Sequence, residues 1–135
     1  MDVILLFVNY KTYIKQAGNP LRLSKMQPGV IIMSTFPDQE SILNVAQDLI
    51  VKKKLCACIN LIKVRSLYVW NNKLEDQQEF MALFKTTKLS ADKLKLEIKK
   101  FHPYEVPEII EIKMNDVYKT YMSWISESTT LKATK

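Results

Sequence analysis

The stretch Phe101 to Ile110, FHPYEVPEII, gathers the only histidine of the chain, two prolines, a tyrosine and two glutamates. His102 could ligate a metal through a ring nitrogen or move a proton near neutral pH. Tyr104 adds a hydroxyl on an aromatic body, and Glu105 and Glu108 add carboxylates. The thiols are Cys56 and Cys58. Cys58 with His102 would make a nucleophile–base couple, given the right geometry. Glu105 and Glu108 are three apart, and an extended segment sends such residues to opposite faces rather than pairing them as acid and base. A structural role competes with all of this. Pro103 and Pro107 disfavour helix at His102 and Val106, so a helix should stop near Phe101 and leave an extended connector. His102 would then stand at a helix C-terminus, where an imidazole meets free carbonyls. That role accounts for most of the motif. A ligand pocket near His102 is its second possible use, and catalysis has the least support. No glycine-rich phosphate loop occurs, and no glycine follows Gly29.

These groups act only where the fold brings them. Val30 to Thr35 is a short apolar strand. Pro37 and Asp38 open a helix, with Asp38 as N-cap and Glu40 in its first turn. Ile42, Ala46 and Leu49 form the core face of this helix, and Lys52, Lys53 and Lys54 answer the dipole at its end. Ala57 to Trp70 reads as extended, roughly 46 Å at ~3.3 Å per residue, more than twice a common strand. Asn71 and Asn72 tolerate the left-handed conformation of a two-residue reversal. Gln77 to Thr86 returns as the partner strand. Ser90 caps a second helix with the stripe Ala91, Leu94, Ile98 and Phe101, and Leu89 and Leu94 stand at staple positions. Glu108 to Met114 alternates as a strand, with Ile110, Ile112 and Met114 on one face. Asp116 to Ser126 closes as a helix on Val117, Tyr121 and Trp124. The order βαββαβ plus a terminal helix is the α+β, ferredoxin-like split βαβ arrangement, an antiparallel sheet with helices on one face.

The hairpin is too long for the body that carries it. Soluble proteins rarely leave such an edge unpaired, so a cyclic homo-oligomer joined partly by inter-subunit strand pairing is expected, with Tyr68, Val69 and Trp70 at the contact. A bulge that ends the strand early is the alternative.

Composition narrows the classes further. At 135 residues and 47% hydrophobic, the chain suits one domain with a real core. That domain is expected over residues 30–129, with a loosely attached extension over 1–29 and a tail over 130–135. No run approaches the ~18 apolar residues of a membrane helix. The net charge is +6, but 18 of the 20 basic residues are lysines mixed with acids. Only Arg22 and Arg65 could give bidentate contacts, so nucleic-acid binding is not expected. Cys56 and Cys58 would point to opposite faces of a strand and not bridge. Free thiols suit a reducing, cytoplasmic address, with a targeting role for residues 1–29 left open.

The segments TFPDQESILNVAQDLIVKKKLCACINLI, SLYVWNNKLEDQQEFMALFKT, HPYEVPEII and YMSWISEST resemble the CutA proteins, named for divalent-cation tolerance. The resemblance covers about Val30 to Thr129 and implies a homotrimer whose long hairpins pair between protomers, with Trp124 a further contact candidate. It also implies a function: a non-enzymatic protein of metal tolerance, or a protein-interaction platform like the eukaryotic relatives linked to acetylcholinesterase anchoring. The family is similar in architecture to the trimeric PII signalling proteins. That suggests the alternative of a sensor binding an anion or metabolite in a subunit cleft, with His102, Tyr104, Glu105, Lys85 and Cys58 as candidates.

Copper ligation in bacterial relatives falls on positions occupied here by Ser34, Phe101 and His102. One ligand of three is present. Copper or another divalent cation would rest on His102 beside a hydroxyl and a phenyl ring, a poor donor set for that metal. Cys58 matches the family cysteine, and Cys56 stands where an alanine is usual. The run Asn60-Leu61-Ile62-Lys63-Val64-Arg65-Ser66 is one residue shorter than usual, which flips later side chains unless a bulge is gained or lost. Asn72 and Val117 replace usual glycines.

Overall fold

The computed structural model describes residues 27–130. The extension and the tail expected from sequence fall almost wholly outside the described residues. Strand β1 is Gly29–Phe36 and helix α1 is Glu40–Gln47, which runs on into a π-helical turn, Asp48–Lys52. Strands β2 (Cys58–Trp70) and β3 (Lys73–Thr87) make the hairpin, followed by helix α2, Lys88–Phe101. Strand β4 is Ile110–Lys113 and helix α3 is Lys119–Ser128. The sheet is antiparallel in the order β2-β3-β1-β4. This is the predicted ferredoxin-like arrangement.

Strand alternation decides what faces the helices. Val30, Ile32 and Phe36 of β1 meet Ala82 and Phe84 of β3, and α1 and α2 close over them with Ile42, Leu49, Leu94 and Ile98. Each such side chain contributes about 1.5–3 kcal/mol through burial. Helix α3 takes the opposite face. A Cβ placed on Gly29 would lie 2.7 Å from the Met122 sulfur and 2.9 Å from that of Met114, so a larger residue there would push these two methionine side chains aside beneath α3.

Local chemistry sets the element ends, in places differently from expectation. Asp38 stands one residue before the cap position, Gln39, and serves the first turn of α1 from there: its Oδ1 accepts from the Ser41 amide at 2.8 Å and the Ser41 hydroxyl at 2.9 Å. Helix α2, by contrast, begins before Ser90. Thr87, still extended, is its cap residue. The apolar side of β4 also faces away from the main core. Glu111 turns toward α2 and meets Lys88 at 2.6 Å and Lys95 at 3.2 Å, so Ile110 and Ile112 remain well exposed.

The long hairpin is continuous. Pairing runs unbroken from Cys58 opposite Lys85 to Trp70 opposite Lys73, so no bulge compensates the shortened segment or ends the strand. Asn71 and Asn72 turn it with φ of 49° and 63°, the two left-handed residues of a tight hairpin. Near the tip, Leu67, Val69 and Leu74 are 62%, 68% and 73% exposed.

Candidate functional site

The site is built by the bent segment between α2 and β4. Pro103 ends α2 as expected, but the chain then bends from residue 103 to 106 rather than running extended. His102 is consequently tucked back, 9% exposed, with its ring stacked on Phe36 at 4.3 Å. Its Nε2 lies 2.9 Å from the Thr35 carbonyl, and its Nδ1 lies 3.1 Å from the Tyr104 amide nitrogen. A carbonyl can only accept and an amide N–H can only donate. The ring is therefore neutral, with its proton on Nε2. Desolvation holds the His102 pKa below its usual value, outweighing the opposing pulls of the Thr35 carbonyl and Glu79.

Tyr104 continues the network. Its ring sits 5.2 Å from that of His102, and its hydroxyl donates to Glu79 Oε2 at 2.7 Å. Burial, followed by the bond to Glu79, raises the tyrosine pKa. Glu79 is 5% exposed, on the face of β3 away from α1 and α2. Beyond it opens a cleft of about 720 Å³ bounded by Tyr68, Trp70, Tyr104 and the carboxylates Glu79, Glu105 and Glu108. Glu105 and Glu108 share one cavity, contrary to the opposite faces expected of an extended segment. The bends at 103–106 are the reason.

The other sequence candidates lie elsewhere. Lys85 is not part of the cleft. Its Nζ sits 5.5 Å above the Tyr121 ring, toward α3, and Tyr121 stacks on Trp124 at 5.5 Å. Cys58 is opposite Lys85 at the start of β2, its Sγ 3.7 Å from Asn60 Oδ1. Burial raises its pKa, with Lys85 pulling the other way. Cys56 is fully buried and pushed up to about 12, by desolvation first and the neighbouring Cys58 second. No activated thiolate results, and both His102 nitrogens are occupied, so Cys58 and His102 do not form a couple.

The three positions implied for copper do not suit it. Ser34 is fully buried on the core face with its hydroxyl unpaired, and Phe101 stacks on Phe36 at 5.9 Å. His102 has no ring nitrogen to spare. Among the described residues no three His, Cys, Asp or Glu gather as a metal site. Glu79 is the residue that sequence reasoning missed. In LEDQQEF nothing separates it from Glu75 or Asp76, because its burial comes from Tyr104, distant in sequence.

A ferredoxin-like domain with an over-long hairpin and an aromatic, carboxylate-lined cleft defines the class. The family described as CutA1 divalent ion tolerance protein matches residues 30–128. Divalent-cation tolerance protein CutA of Thermotoga maritima is 38% identical over 99 residues, covering 73% of this chain and 97% of the relative. The CutA of Pyrococcus horikoshii is 42% identical over 100 residues, covering 74% and 97%. The crystal structure of CutA1 from Pyrococcus horikoshii superposes with a TM-score of 0.71 at 40% identity, covering 76% of this chain and 99% of that one. For CutA1 from Oryza sativa the TM-score is 0.72 at 29% identity, covering 79% and 98%. The chain belongs to the CutA divalent ion tolerance family. No helix among its described residues is long and apolar enough to cross a membrane.

Proposed function

We propose that this protein acts in divalent-cation tolerance as a non-enzymatic homotrimer whose hairpins pair between protomers. The observation carrying this reading is the exposed hairpin. Strand β2 is an edge strand of 13 residues, and Leu67, Val69 and Leu74 stand in solvent around its tip. Such a ribbon is an aggregation hazard unless another chain covers it. Tyr68, Val69 and Trp70 would lie in that contact, and Trp124 would extend it beside α3. Sedimentation should give about 47 kDa, three times the 15.7 kDa chain, and Val69→Lys should lower it. A folded 15.7 kDa species at micromolar concentration refutes the reading. Metal tolerance here would not run through His102, so copper titration should be the same in His102→Ala as in the parent.

The cleft favours a second reading, a small-molecule sensor. Its three carboxylates, with no lysine or arginine among the described lining residues, oppose an anion and suit a cationic or uncharged ligand held against Trp70 and Tyr68. Tetramethylammonium should quench Trp70 fluorescence in a Trp124→Phe background. No change at millimolar ligand removes this reading.

A further inference from the structure

A second cavity, about 290 Å³, lies at the N-terminal end of α2 and opposes the acidic cleft in character. Its lining includes Lys53, Lys54, Lys93, Thr87 and Ser90, and no acidic residue among the described residues. Lys53 is committed, held by Asp48 at 3.0 Å and Glu97 at 2.8 Å. Lys54 and Lys93 have no carboxylate partner among the described residues. Lys54 is fixed there by a left-handed backbone, φ 51°, just after the π-helical turn.

The cap residue supplies a second, independent observation. Thr87 is 3% exposed, yet its hydroxyl makes no capping hydrogen bond and none to any described residue. Thr87 lines this cavity. A buried hydroxyl left without a partner is unfavourable unless something completes it.

The other hydroxyl protons there are mostly spent. Thr129 donates to the Ile125 carbonyl at 3.0 Å and Thr130 to that of Ser126 at 2.7 Å. Thr87 and Ser90 can still donate. The Lys88 amide is taken by the Pro28 carbonyl at 2.8 Å, while those of Leu89 and Ser90 have no partner within the helix. Hydroxyl and amide donors, two ammonium groups with no carboxylate partner among the described residues and the positive end of a 14-residue helix converge on one cavity.

We propose that this cavity binds a phosphate oxyanion, with the Thr87 and Ser90 hydroxyls and the first-turn amides of α2 as donors and Lys54 and Lys93 as counter-charges. The anion could be inorganic phosphate or the head of a phosphate monoester. The test is calorimetric titration of the full chain with sodium phosphate, then glycerol phosphate, at constant ionic strength balanced with chloride. One anion per chain is expected. Thr87→Val keeps the shape and removes the hydroxyl, and it should weaken binding about tenfold, the loss of one charge-assisted hydrogen bond. Lys54→Gln with Lys93→Gln should weaken it at least as much, and Glu105→Gln in the acidic cleft should leave it unchanged. Tighter binding of glycerol phosphate would assign a monoester, and equal binding would assign inorganic phosphate. Absence of binding at millimolar phosphate, or affinity equal in the parent and Thr87→Val, overturns the proposal. Should Thr87→Val not fold, Ser90→Ala gives the same reading, with an unchanged affinity again overturning it.

Discussion

Tyr104→Phe should destabilise the protein by about 2 kcal/mol, the worth of a hydrogen bond to a charged group. The figure follows from the geometry at Glu79. That carboxylate is 5% exposed and receives the Tyr104 hydroxyl at 2.7 Å. Phenylalanine keeps the ring against His102 but leaves the buried oxygen with one partner fewer. In a domain near 100 residues, about 2 kcal/mol corresponds to a melting shift on the order of 10 °C. The assay is thermal and urea unfolding at one fixed chain concentration, because assembly would make stability depend on concentration. Glu79→Gln and the double variant complete a cycle, and a coupling of about 1.5 kcal/mol or more is expected. If Tyr104→Phe costs under about 0.5 kcal/mol, or the two substitutions simply add, the Tyr104–Glu79 bond does not hold the connector.

The remaining predictions concern titration, thiols and packing. His102 has a folded pKa below its usual 6.5, so its contribution to stability is full above that value and falls as pH drops below it toward the depressed pKa. Urea midpoints between pH 7.5 and 5 should show this decline, and His102→Gln should flatten it. A thiol reagent at pH 8 should label half-buried Cys58 before Cys56, which should react only as the protein unfolds. Equal labelling rates in the folded state would contradict this burial. Phe84→Ala should cost about 3–5 kcal/mol, since the ring is fully buried against Phe36 at 6.4 Å. A loss under about 1 kcal/mol in urea unfolding would place Phe84 outside the core.

Local signals located nearly every element. The alternation of Val30, Ile32 and Phe36, the Asn71-Asn72 pair and Pro103 act through neighbours in sequence, and the strand, turn and helix end stand where those residues put them. The local sequence points to Ser90 as the cap of α2, because Leu89 and Leu94 imitate a staple. The helix instead starts at Lys88, whose amide is already taken by Pro28, a strand-end contact with no trace in the local sequence.

The sequence by itself determined the order of the elements and the length of the hairpin, which follow from periodicity and turn chemistry, and its segments carry the resemblance to the family. Only the tertiary structure decided the sites. His102 was visible as a residue, but its tautomer depends on Thr35, and the buried state of Glu79 depends on Tyr104 across the connector. Lys85 and Cys58 left the cleft because strand pairing carries them toward α3. Burial and hydrogen bonding between distant segments set the chemistry of a side chain, and no local pattern encodes which segments will meet.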